Sequence, residues 1–474
     1  YDGSWKFPKG NRWGFFPSVS AAWRISEENF FKNSSISSWF SNLKLRASYG
    51  MMGDDNLGGL YPDFAYLSGY TYYKGQSLMP DDPFSSVKSK KVIGSAPKGI
   101  PVTTISWMKI KLMNVGIDFG FFDNRLTGEF DLFKRMRDGI PGTPSDIMFP
   151  LETGLSALPE NMNSDMTVGF DAFVKWNDKV GDLKYSVGAN ITFARQKNGK
   201  RHGEIFGNAW DKYRWAQSNR WSNVVLNTDQ GNAGGVWMWE VIGRFETQEQ
   251  IDSYPVDQDG QNNATVRPGD VILRDVNGDG IINDFDERPQ AYASADWPWD
   301  SSTSNKNPLI SMGINVGFEW KGFDVAADFA GGFKNTFVAD WDLKWGVTRS
   351  VNGYYYNNID VWRHEDIFDP KSPWIPGKFP ALRGQESHSG RWWNSFYTRE
   401  VNYLRLRNLV VGYSLPKNWI RKVGMEQCRI YFQGTNLFCL SSLHDYGFDP
   451  EISTVNGQDY PQHKVLTLGV NVKF

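Results

Sequence analysis

Residues 310–320 read Ile310-Ser311-Met312-Gly313-Ile314-Asn315-Val316-Gly317-Phe318-Glu319-Trp320. Every even position is apolar and every odd one is small or polar, so the run has period 2. That is a β-strand with one greasy and one wet face. The pattern recurs at Leu43–Met51, Met113–Phe121, Leu183–Phe193 and Leu466–Phe474. It extends to 17–25, 126–136, 166–177, 322–333 and 426–438. In 402–414 the parity changes: Leu404 and Leu406 share one face, then Leu409, Val411 and Tyr413 do. A one-residue bulge near Arg407–Asn408 reconciles the two halves. The reading gives eleven strands, mostly of about 9–13 residues, the length that crosses a bilayer at a tilt.

What lies on the wet faces decides between a barrel in a membrane and a soluble sandwich. A sandwich turns its polar face to bulk water and fills it with charge. Here that face is Gly, Ser, Asn and Thr with scattered Asp, Arg and Lys, as a hydrated lumen requires. The apolar faces end in Trp23, Tyr49, Trp176, Trp320 and Phe474, suited to interfacial girdles. The fold class read here is all-β, a transmembrane antiparallel β-barrel with long extracellular loops.

Composition agrees by exclusion. Among 474 residues, 51 Lys+Arg nearly balance 53 Asp+Glu, which argues against a nucleic-acid partner. No run approaches the ~18 consecutive apolar residues of a membrane helix. The chain has two cysteines, Cys428 and Cys439, too few for a disulfide scaffold or a four-cysteine zinc site. Tyr1 is preceded by no Met and no signal peptide, so the chain reads as a processed product or a piece of something longer.

Connections alternate in length. Short turns fall at 122–125, 177–182 and 321–322, and long segments at 137–165, 196–309, 334–401 and 439–463. Short periplasmic turns and long outer loops are the outer-membrane arrangement. The chain end then lies in the periplasm, and an odd count of eleven implies part of a barrel. The strand-like segment 64–73 is placed in an outer loop or paired with a weak strand unseen in the sequence.

Several stretches resemble one family. They are Arg12-Trp13-Gly14-Phe15-Phe16-Pro17 running on to Trp23-Arg24-Ile25-Ser26-Glu27-Glu28, then Leu43-Lys44-Leu45-Arg46-Ala47-Ser48-Tyr49-Gly50. Pro268-Gly269-Asp270 leads into Asp275-Val276-Asn277-Gly278-Asp279-Gly280, and Tyr403-Leu404-Arg405-Leu406-Arg407-Asn408-Leu409 follows. Near the end come Gly434-Thr435-Asn436-Leu437-Phe438, Asp449-Pro450-Glu451, Tyr460-Pro461 and a terminal Phe. In this order they resemble the SusC/RagA-like TonB-dependent transporters of Bacteroidota, over essentially the whole chain. The resemblance implies the C-terminal half of a 22-strand barrel, about 11–13 strands of it, whose plug and TonB-binding segment lie elsewhere. It implies a SusD-like surface lipoprotein as partner, energy from the TonB complex through the plug, and Phe474 as the signal for barrel insertion.

The domain reading is one barrel segment over 1–474, with an extracellular loop region at 196–309 carrying the Asp/Asn-rich loop 275–286. In that loop Asp275, Asn277, Asp279, Asn283 and Asp286 fall at positions 1, 3, 5, 9 and 12 of a calcium loop, with the Ile281 carbonyl at 7. Asp at position 12, in place of Glu, shortens its reach. The alternative is a metal-free turn in which these oxygens cap backbone N–H groups. Aromatic pairs in the outer loops, Trp297 and Trp299, Tyr354 and Tyr355, Trp392 and Trp393, are the candidate substrate platform, since flat rings stack on sugar faces. No catalytic constellation or organic cofactor motif is present: the five His lack metal spacing and the carboxylates are scattered. The reading is a nutrient importer of the outer membrane, taking oligosaccharides. The alternatives are a peptide importer of the same family and a secreted carbohydrate-binding β-sandwich.

Overall fold

The computed structural model describes residues 1–57, 63–78, 91–97, 99–144, 147, 150, 152, 157–200, 209–210, 213, 236–291, 308–338, 360–381, 394–444, 448–451, 460 and 462–474. Eleven strands form one sheet in which every strand pairs antiparallel with its sequence neighbour in the wall. They are β1 (Ser18–Arg24), β2 (Phe40–Asp54), β3 (Met108–Phe121), β4 (Leu126–Gly142), β5 (Glu160–Val180) and β6 (Leu183–Asn198). The rest are β7 (Ile310–Trp320), β8 (Phe323–Val338), β9 (Thr398–Ser414), β10 (Gln427–Ser441) and β11 (Val465–Lys473). These are the eleven strands that the alternation marks out.

The structure lengthens some of them. β5 has 21 residues and β4 has 17, well beyond 166–177 and 126–136. Past the apolar band both faces turn polar, as at Asn161, Asn163 and Ser164, while the hydrogen-bond ladder runs on. Hydrophobic period vanishes there although the strand does not. The bulge is real and double: register shifts between Leu406 and Asn408 against β8, and again against β10, where Asn436 is left-handed at φ 53°. Lys321 and Gly322, at φ 48° and 90°, make the two-residue turn whose twist matches a hairpin. The aromatic segment near residue 70 belongs to a separate hairpin, Tyr70–Leu78 with Lys91–Pro97, outside the wall.

Register fixes the faces. One row runs Ala47, Val115, Leu132, Phe170, Phe193, Ile310 across six strands, and Val115 and Leu132 are 60 % and 53 % exposed. A face this apolar and this open suits lipid, not water. At the short-turn end it closes in packed rings: Trp39 stacks 5.5 Å from Phe121, Phe40 4.4 Å from Phe121, and Phe323 lies tilted 4.5 Å from Tyr413. The outer strands β1 and β11 are paired on one side only among the described residues. Unpaired edges are intolerable in hydrocarbon, so the wall is part of a larger closed barrel.

Buried cores lie at the other end. Phe7, Leu57, Val102, Ile105 and Met108 form one, and Phe337, Val401 and Leu443 another. Two more lie within 236–291: Trp239, Val271, Leu273 and Ile282, then Phe245, Ile251, Val266 and Ile272. The extracellular connection between β6 and β7 therefore contains a small folded unit with its own interior.

Candidate functional site

The inner face of the wall is built from charges that neutralise one another sideways. Arg46 of β2 donates through Nε to Asp118 of β3 at 2.7 Å and through Nη2 to Asp131 of β4 at 2.9 Å. To reach Asp131 it must lie flat across β3. Gly116 allows this: a Cβ there would sit 2.3 Å from Asp131 Oδ1. The device recurs on the far side, where Arg429 of β10 crosses Gly412 of β9 to Asp324 of β8, with Nε 2.9 Å from Oδ1. Between these straps runs an amide–carboxylate chain: Asn315 Nδ2 donates to Asp328 at 2.7 Å, and Gln433 Nε2 donates to Asn408 Oδ1 at 3.1 Å. The glycines of the wet face are thus recesses for side chains from neighbouring strands, a role that composition alone does not reveal. Arg46, Ser48, Asn114, Arg135, Thr167 and Asp171 line an open recess of about 550 Å³ in this wall.

Higher up, the bulge carries a second cluster. Arg405 is only 4 % exposed and donates through Nη2 to Asp449 at 2.6 Å, with Nε 3.3 Å from Glu451. Arg407 pairs with Glu451, whose Oε2 also accepts from Gln462 Nε2 at 2.8 Å. Strand alternation puts both arginines of Tyr403–Leu409 on this side, next to the bulge, where they hold residues 448–451 against the wall. This gives Asp449-Pro450-Glu451 and Asn436 a physical purpose.

In the extracellular unit the short-range polar groups fold the chain. Asp275 accepts from Gly278 N–H at 2.6 Å and Gly280 N–H at 2.8 Å, and Asp279 accepts from Ile281 N–H at 3.0 Å. Asn283 and Asp286 form a capping box on the turn 284–286, and fully buried Asp286 also accepts from Val276 N–H at 2.9 Å. A second turn lies alongside, pairing Asp257 with Ile281. There burial alone would raise the Asp259 carboxyl, but hydrogen bonds from the Thr265 N–H and hydroxyl and from the Gln261 and Asn263 N–H groups hold it well below the usual carboxylate range. Gly269, at φ 92°, presses on the Trp362 indole, where a Cβ would come within 2.4 Å. Arg244 donates to the Gly377 carbonyl at 2.8 Å and lies 4.7 Å over the Phe396 ring. The unit is therefore tied to 360–380 and to the start of β9.

The expected site residues distribute unevenly. Asp275, Asn277, Asp279, Ile281, Asn283 and Asp286 are brought into one loop. Among the described residues no three His, Cys, Asp or Glu side chains converge as a metal cluster. The candidate platform residues Trp297, Trp299, Tyr354, Tyr355, Trp392 and Trp393 all lie outside the described residues. Trp239, another loop aromatic, is buried and donates to the Asn283 carbonyl at 2.8 Å, so it serves packing. Phe474 follows β11 directly, in register with its apolar side, and is 82 % exposed. Cys428 and Cys439 are both free thiols.

No protein-family model matches the chain. It is 25 % identical over 486 residues to the TonB-dependent receptor SusC of Bacteroides thetaiotaomicron, covering all of this chain and 41 % of that protein. It is 23 % identical to the TonB-dependent receptor P39 of Formosa agariphila, covering 44 % of it. The structure of the RagAB peptide transporter superposes on the whole chain with a TM-score of 0.63 at 20 % identity, over 44 % of that chain's length. Over its whole length the chain is similar to a barrel segment of SusC/RagA-like TonB-dependent receptors. It spans less than half the length of the relatives it matches. The wall's place is the outer membrane, where the usual arrangement has short turns periplasmic and long connections outside. Its relatives are receptors and transporters rather than enzymes.

Proposed function

We propose that this segment is about half the wall of an outer-membrane nutrient importer that takes up oligosaccharides. The observation that carries the reading is the two-faced wall: exposed apolar rows outside, and inside a polar surface whose charges are paired laterally. Such a surface offers a passing solute hydroxyl-compatible donors and acceptors beside charges that are largely held by neighbouring side chains. We further propose a SusD-like surface lipoprotein over the folded outer connections, and energy from TonB through a plug outside this chain. Phe474 is proposed as the insertion signal. The oligosaccharide assignment rests on the aromatic pairs of the outer connections, with Trp297, Trp299, Tyr354, Tyr355, Trp392 and Trp393 as the platform. The RagAB peptide transporter, which shares the fold, supplies the competing reading.

Deletion of the complete receptor gene, followed by growth on defined carbon and nitrogen sources, tests this. Loss of growth on one class of oligosaccharide with unimpaired growth on peptides is the expected result. The reverse pattern makes it a peptide importer. A receptor that stays monodisperse in plain buffer without detergent would return the case to a secreted sandwich.

A further inference from the structure

Above the apolar band, at the extracellular end, the outward face of β3–β6 changes character. The row above Val115 and Leu132 reads Tyr49, Met113, Lys134, Val168, Arg195. The next reads Met51, Lys111, Met136, Met166, and the next Gly53, Lys109, Asp138, Ser164. Among the described residues Lys109, Lys111 and Lys134 thus stand against one carboxylate, Asp138, and that carboxylate is held by Lys111 at 2.5 Å. Lys109 is exposed and Lys134 half-buried. The corresponding height on β8–β10 is different: Leu404 and Leu440 face outward, and Lys334 is paired with Glu400 at 3.0 Å. Of the two sectors compared, β3–β6 alone carries this surplus among the described residues.

We infer that this sector binds a phosphorylated glycolipid of the outer leaflet. The patch is continuous with the rows that face acyl chains, so its occupant must present hydrocarbon and anionic groups at adjoining depths. A lipid with phosphates at its headgroup does so; a soluble acidic protein does not reach below the headgroup plane. Methionines 51, 113, 136 and 166, interleaved with the cations, give an adaptable apolar surface against irregular chains. Lys109 and Lys134 supply donors at the level of the phosphates. This inference depends on the barrel and on its orientation, and is independent of what the receptor imports.

The test uses the complete receptor in neutral detergent, titrated with a purified bisphosphorylated glucosamine lipid and with the same lipid after phosphatase treatment. Binding is read by native mass spectrometry. The wild type retains the phosphorylated lipid, at least tenfold more tightly than the dephosphorylated form, and the retention weakens with added salt. Lys109→Gln with Lys134→Gln lowers affinity about tenfold, while Lys334→Gln on the opposite sector leaves it unchanged. Should the double variant fail to fold, as judged by heat-modifiable mobility, Lys109→Gln alone at the strand end is expected to lower affinity about threefold. Equal binding of the two lipids, equal effects of the two sectors, or no retention by the wild type would each overturn the inference.

Discussion

The wall and the extracellular unit at 236–291 are made from the same residues used in opposite senses. In the wall Leu132 is 53 % exposed and Arg46 lies inward between two aspartates. In the extracellular unit Leu273 is fully buried, and Arg274 lies outside, 2.7 Å from Glu240. The difference is solvent. Lipid accepts apolar side chains but no bare backbone, so the wall is stabilised by an unbroken ladder and needs no interior. Water demands an interior, so the connection between β6 and β7 builds one, closing its turns with side-chain oxygens. Damage should therefore travel differently in the two regions.

The largest effect is expected in the extracellular unit. Leu273→Ala opens a cavity in a fully buried site and should cost about 2–5 kcal/mol. Hydrogen exchange on the complete receptor should show amides of 236–291 losing protection while those of β3–β6 keep it. Loss of protection in both regions at once would show that the two fold as one unit. In the wall the comparable lesion is charge. Ile314→Arg places a cation on the row shared with Ala189 and Phe329 and should cost about 2–4 kcal/mol. Asn315→Arg, on the inner face beside Asp328, should insert nearly normally. A spin label at 314 should be relaxed by lipid-borne agents and one at 315 by aqueous ones; shielding of 314 from both would place it in a protein core.

These contrasts also explain what could be read from the sequence. The wall was legible because its solvent imposes period 2 for ten residues at a time, as in Ile310–Trp320, and even the bulge at Arg407 left a trace in parity. The extracellular unit was not, because its strands are three and four residues long, Val271–Leu273 and Val241–Arg244, too short to show a period. Its partners also lie far away in the chain, as Gly269 does from Trp362. The straps over Gly116 and Gly412 escaped for another reason. A glycine signals permission, and what uses the permission sits on the strands at either side, far away in the chain. The Asp275–Asp286 spacing was visible, but an oxygen that caps an N–H and one that holds a metal have the same sequence.

Acid should separate the regions again, with a smaller effect. The Asp259 carboxyl is depressed by its N–H donors, so the stability it contributes is fully present above the ordinary carboxylate pKa and is lost as pH falls through the lowered value. Amides of Gln261, Asn263 and Thr265 should lose protection at low pH before those of the strands do. Asp259→Asn, which keeps one acceptor oxygen and removes the charge, should cost on the order of 2 kcal/mol and abolish that dependence. A variant whose exchange still weakens with acid at these amides would move the titrating group elsewhere.

The smallest effect concerns calcium at 275–286. We propose it as a weak ligand of this loop. Asp275, Asn277, Asp279, Asn283 and Asp286 would hold it with the Ile281 carbonyl, because an oxygen that accepts one N–H keeps a second lone pair. The hydrogen bonds already close the turn without metal, and Asp286 already accepts from both Val276 and Asn283 N–H groups. Binding must therefore draw exposed Asp279 inward and sacrifice part of this capping. That cost puts affinity in the range of extracellular calcium modules, roughly 10⁻⁴–10⁻³ M. At about ten times that concentration the ion should add about 1.4 kcal/mol to the extracellular unit and nothing to the wall. Exchange measured with and without calcium reads both regions in one experiment. Protection confined to 275–286 and its neighbour Asp257, and lost in Asp279→Ala, is the expected outcome. An unchanged profile at saturating calcium would leave these residues as caps alone, and equal protection of β3–β6 would mean that the ion acts at the lipid surface.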